Sequence, residues 1–268
     1  MREIATGEAL EASCRTALRN LLSAIADTKL LLGYHYGEWT FGTPVLEASI
    51  ANCSLSQTEL GHVRLLHGIL KTHFGEDPEE LMESRSAGEI AGVEFLDRDL
   101  PDWAAVVATT LVIDGALSLV LHSMRESAFL PVRNVVDKML EEERYHAHHG
   151  RGWFRALGQR DAATRNTLKE RVEAAFRSAE IWWGPKEEEE DASLVRSGIK
   201  SATNAELAAR LRNDVFELAE ACGVELRLES VLRLDGWHPS TRRSGGSAVA
   251  EEILYHMRGS KNAIFKLT

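Results

Sequence analysis

Apolar positions recur at three- and four-residue intervals along most of this 268-residue chain, which is the period of an amphipathic helix. From about Glu8 to Tyr36 the stripe runs through Leu10, Leu18, Leu21, Leu22, Ile25 and Leu30. Gly37 and the segment Trp39–Pro44 interrupt it. Pro44, a residue suited to the first turn of a helix, opens a second helix that stops at Gly75. Asp77-Pro78 starts a short element, and loop with weak helix continues to about Asp99. Further helices are predicted from Asp102 to about Glu126, Pro131 to Leu157, Ala162 to Trp182, Asn204 to Cys222 and Ala248 to Met257. The Pro131 helix is expected to bend near Gly150, and the acidic run Glu187–Asp191 reads as a solvated helix start. No strand alternation of any length and no solenoid-period repeat is present. The pattern predicts an all-α protein, with a core bundle over about residues 8–160 and a C-terminal helical extension over about 161–268.

The helix from Asp102 to Glu126 is apolar around nearly its whole circumference. Between Trp103 and Met124 its ionisable side chains are Asp114 and His122. A membrane span needs ~20 apolar residues, but Asp114 sits at the midpoint and the neighbouring helices are amphipathic. The segment therefore reads as the central helix of a bundle, without a membrane. A buried carboxylate is costly unless a cation or donor meets it. Two Glu-x-x-His pairs flank this helix in sequence, Glu59/His62 and Glu143/His146. An i, i+3 spacing puts carboxylate and imidazole on one side of a helix. Ferritin-like di-iron proteins combine such a pair from each of two helices with one carboxylate from each of the other two. Oxygen and imidazole donors suit iron or manganese. Glu59, His62, Asp114, Glu143 and His146 are thus candidate metal ligands.

Charge and cysteine content narrow the classes further. With 41 acidic against 31 basic residues the formal charge is −10, which argues against a nucleic-acid partner. Cys14, Cys53 and Cys222 are widely spaced and read as reduced thiols. The start of the chain has no apolar signal-like stretch, so a cytoplasmic location is expected. No phosphate loop, nucleophile elbow or dinucleotide fingerprint is present; RRSGGSA matches none of them.

The stretches LLLGYHYGEWTFGTPVLEASIANCSLSQTELGHVRLL, VIDGALSLVLHSMRES, EEERYHAHHGRGWFRALG and RRSGGSAVAEEILYHM resemble the ferritin-like subunits of bacterial phenylacetyl-CoA epoxidase. The resemblance covers roughly residues 20–260. It implies a di-iron (or di-manganese) oxygenase subunit that epoxidises or hydroxylates an acyl-CoA thioester. It also implies electrons from a separate flavin and iron–sulfur reductase, and a homologous ferritin-like subunit or a second copy as partner. The GEW, IDG and ERYH…RGW details are closer to the family's metal-free structural subunit, whereas Glu59, His62 and Glu143 follow the catalytic one. A metal-free scaffold and a stand-alone ferritin-like oxidase are the alternatives. The catalytic protein takes a further glutamate from its first helix, and aligning Gly33 puts Leu30 there. Asp27, one turn earlier, is the expected substitute, with Glu38 or a water as alternatives. Tyr34 and Glu142 are weaker candidates for the surroundings of the site, each more simply a packed or exposed helical residue. His67, His73, His148 and His149 read as surface residues, and the tryptophans as core residues or contacts between subunits.

Overall fold

In the computed structural model, which describes residues 3–228 and 232–265, the stripe of the first helix is closed off by α1 (Ala12–Glu38) and α2 (Leu46–Phe74), packed along their lengths as a hairpin. α1 is buried almost all round, with 0% exposure at Leu18, Leu21, Ile25 and Leu32. α2 ends at Gly75, whose φ of 78° lets its N–H and that of Glu76 turn back onto Lys71 and Leu70 carbonyls. This is the left-handed stop that glycine permits. Asp77 caps α3 (Pro78–Glu83), with Pro78 in its first turn.

The apolar segment forms α4 (Trp103–Ser123), long and apolar enough to cross a membrane, yet 83% of its apolar window is buried inside the protein. It is the interior helix of the bundle. α5 (Leu130–Gly158) runs back against it, and α1, α2, α4 and α5 form the four-helix core. The helix is not broken at Gly150: α5 is continuous from Leu130 to Gly158. A Cβ on Gly150 would lie 3.1–3.3 Å from Thr110 and Leu111. The glycine therefore serves close approach of α5 to α4.

α6 (Ala162–Trp183) covers α4 and α5, α7 (Glu189–Arg196) packs on α1, and α8 (Asn204–Ala221) closes the second half of α4. Thr203 and Glu206 make a reciprocal cap on α8. α9 (Glu251–Met257) ends the α-helical series. Before it, Arg243 lies over Asp97 with both guanidinium nitrogens (2.6 and 2.7 Å) and donates to the Ile90 carbonyl, pinning the C-terminal segment to the core. Asp191, expected in a solvated run, is buried and paired with Lys200. Among the described residues the only β features are two isolated bridges, so the chain is an all-α, ferritin-like bundle.

Candidate metal centre

Each core helix sends one or two polar side chains into the bundle interior. α2 supplies Glu59 and His62, α5 supplies Glu143 and His146, and α4 supplies Asp114. None is more than 3% exposed. α4 reaches Asp114 through a π-helical turn, Thr109–Ile113. One wide turn shifts the helical register by a residue, a device common at functional sites. Carboxylate oxygens of Glu59, Asp114 and Glu143 and a ring nitrogen of His146 all lie within 4.8 Å of one another. Four of the five expected side chains thus share one cluster, with His62 beside it, 3.4 Å from Glu143 Oε1, and the four have the composition to hold a metal ion.

The first helix supplies something the sequence reading missed. Lys29, fully buried, places its ammonium 2.8 Å from Glu59 Oε2 and 2.6 Å from Glu143 Oε1. In the four-helix pattern this is the place of the first-helix carboxylate. Tyr36, two turns on, donates from its hydroxyl to Asp114 Oδ2 at 2.7 Å. Leu22, Ile25, Lys29, Leu32 and Tyr36 follow one another at intervals of three and four, so the lysine and the tyrosine lie on one buried face.

The expected substitutes lie elsewhere. Asp27 is buried but turned to the other side of α1, where it accepts from Arg85 Nη1 (2.8 Å), Arg85 Nη2 (2.5 Å) and the backbone N–H of Ala91 (2.8 Å). Its oxygens are fully used anchoring α1 to the segment after α3. Leu30 and Glu38 line a surface pocket with Gly33, Tyr34 and Leu60, so Tyr34 also faces away from the cluster. Glu142, read as a possible partner of His146, accepts instead from His62 Nε2 at 2.7 Å. His67, expected at the surface, is buried, whereas His148 is exposed. His149 stacks edge-on with Trp103 and Trp153.

The electrostatics follow from three carboxylates and one ammonium in a dry interior. Burial alone would pull the Lys29 pKa down, but Glu143, Glu59 and Asp114 outweigh it and hold it above the ordinary lysine value. Burial pushes Glu59 up to about 7, helped by Asp114 and Glu143 and opposed by Lys29. Burial acts in the same upward sense on Glu143, yet Lys29, His62 and His146 hold it well below the usual carboxylate range. Burial disfavours a charged His146, but Asp114, Glu59 and Glu143 raise it to about 11. Of these two glutamates, Glu143 is therefore the one held ionised and Glu59 the one more readily protonated. Three buried polar atoms here have no hydrogen-bond partner: Glu59 Oε1, Asp114 Oδ1 and His62 Nδ1.

The expectation of two ions meets a direct obstacle. An ammonium stands between Glu59 and Glu143, on the His62 side. A second cation there would face a fixed like charge in low dielectric. The half of the cluster around His146 and Asp114 keeps a metal's donor types.

Comparisons with known proteins give the same lineage. The chain is 24% identical over 177 residues to one component of the 1,2-phenylacetyl-CoA epoxidase of Escherichia coli (strain K12), covering 65% of this chain and 70% of that protein. It is 22% identical over 190 residues to a second component of the same enzyme, covering 70% of this chain and 61% of that protein's length. The family described as phenylacetic acid catabolic protein matches residues 1–239, and the chain belongs to that family.

Proposed function

We propose that this chain is the non-catalytic partner subunit of a multicomponent oxygenase acting on an acyl-CoA thioester, with the di-iron chemistry carried by a homologous subunit. The observation that carries this reading is the Lys29 ammonium between Glu59 and Glu143. The ferritin-like pattern sets four carboxylates against two divalent ions, and here the fourth position carries a positive charge instead. Three carboxylates and one ammonium sum to −2, half of what two ions require.

The cluster then works as an internal clamp. Lys29 ties α1 to α2 and α5, Tyr36 ties α1 to α4, and His146 at 3.1 Å from Asp114 ties α5 to α4. Four helices are held from within, as bound ions would hold them. α2 presents Leu46 (72% exposed) and Ile50 (63%), and Phe41 in the preceding loop is 96% exposed. Such side chains suit an interface with another protein. The relatives' acyl-CoA epoxidation, the external reductase and a cytoplasmic setting complete the proposal.

The competing reading makes this chain itself the di-iron oxygenase. It draws on Glu59, His62, Asp114, Glu143 and His146, and Lys29 weighs against it. Turnover separates the two. The chain with ferrous iron, a flavin–iron–sulfur reductase and phenylacetyl-CoA is expected to give no epoxide. Mixed with a homologue that carries the di-iron centre, it is expected to co-elute as a stable complex that turns over. Epoxide formed by this chain without a homologue would overturn the proposal.

A further inference from the structure

The two glutamates of the cluster are each divided between two tasks. Lys29 uses Glu59 Oε2 and Glu143 Oε1, while Glu59 Oε1 and Glu143 Oε2 turn towards His146. His146 Nδ1 lies 3.3 Å from Glu59 Oε1, 3.1 Å from Asp114 Oδ2 and 3.9 Å from Glu143 Oε2. Donors bound to one ion at about 2.1 Å stand roughly 3.0–3.5 Å apart at octahedral or tetrahedral angles. Two of these separations fall in that range and the third is slightly longer. Glu59 Oε1 and Asp114 Oδ1, both buried, have no hydrogen-bond partner. Glu143 Oε2 receives Ser118 Oγ at 2.9 Å, and Tyr36 donates to Asp114 Oδ2, the oxygen 3.1 Å from His146 Nδ1. These contacts orient the carboxylates from behind, as outer partners of metal ligands do.

We propose that this half of the cluster is a mononuclear site, in which Glu59, Asp114, Glu143 and His146 bind one divalent first-row ion and Lys29 replaces the second. The formal charge supports the count: three carboxylates and one ammonium leave −2, which one divalent ion neutralises. Three oxygens and one imidazole suit Mn2+, Fe2+ or Zn2+. His62 falls on the ammonium side, 3.4 Å from Glu143 Oε1 and bonded to Glu142, and is no ligand of this ion. A cavity lined by Thr110, Asp114, Gly115, Ser118 and Arg151 lies against this half. The inference deepens the partner-subunit reading, because it gives the clamp a metal component without restoring a pair of ions.

The test is metal stoichiometry on the full chain after loading with Mn2+ and dialysis, read by elemental analysis and by electron paramagnetic resonance. The expected result is one Mn2+ per chain with an isolated-ion spectrum. His146→Ala and Asp114→Asn are expected to lose at least tenfold in affinity, while His62→Ala keeps the ion. No Mn2+, Fe2+ or Zn2+ retained by the wild type would overturn the mononuclear site and leave the partner-subunit reading standing. Two ions with a spin-coupled spectrum would overturn both. Where His146→Ala fails to fold, the wild-type count and the His62→Ala count decide: loss of the ion in His62→Ala, checked by circular dichroism to be folded, contradicts the assignment.

Discussion

Replacing Lys29 with Met keeps most of the side-chain volume and deletes only the ammonium. Glu59 and Glu143 would then face each other with no cation, in a place where neither is more than 3% exposed. Breaking a buried ion pair by removing one partner typically costs about 3–5 kcal/mol. Lys29 bonds to two carboxylates, at 2.8 and 2.6 Å, so the upper part of that range applies. For a chain of this size ~2 °C of melting temperature is lost per kcal/mol, giving a fall of roughly 8–10 °C. The loss must depend on pH. Without Lys29 both carboxylates have raised folded pKa values, so the penalty is absent below the unfolded glutamate pKa of ~4.3 and grows as pH rises. Thermal melts in a chelator at pH 5 and pH 8 measure this, with the larger loss expected at pH 8. A variant melting within ~1 °C of the wild type at pH 8, or a loss equal at both pH values, would refute the clamp.

Asp27→Asn keeps the shape but weakens the charge-assisted pair with Arg85, and should cost about 2 kcal/mol while leaving metal stoichiometry unchanged; altered ion content would put Asp27 back into the site. His146 is raised to about 11, so its stabilisation is fully present below ~6.5 and lost as pH rises through about 11. The ion-free protein should therefore lose melting temperature between pH 7 and 11, and a folded His146→Gln variant should lose that slope. Burial raises the Cys14 thiol while Cys53 is exposed, so a thiol reagent should label Cys53 at once and Cys14 only on unfolding, as mass spectrometry of the labelled peptides would show.

The helical pattern was legible because nearly every core helix is long and repeats its apolar positions at helical spacing. Asp114 was legible for a related reason: a lone carboxylate in an apolar helix must meet a partner. The Glu-x-x-His pairs located two further sides of the cluster. Lys29 escaped notice because a lysine between Thr28 and Leu30 looks like any solvated helical residue, and alignment on Gly33 fell one position away, at Leu30. The available signal was its place between Ile25 and Leu32 on the stripe that ends at Tyr36, on a helix apolar around most of its surface. Asp27 lies outside the cluster for the converse reason. One turn of displacement along α1 does not keep a side chain in the same surroundings when the segment after α3 brings Arg85 against the other face. Gly150 does not break α5 because glycine serves close packing as readily as a helix end, and the neighbour, here the π-helical turn of α4, decides which. That turn itself has no periodicity signature in the sequence.

A crystal structure of iron-loaded protein, with an anomalous difference map collected at the iron edge, tests the central claim most directly. One peak is expected among Glu59, Asp114, Glu143 and His146, with the Lys29 side chain in density on the His62 side and no peak there. Two peaks, with Lys29 swung out of the cluster, would contradict it.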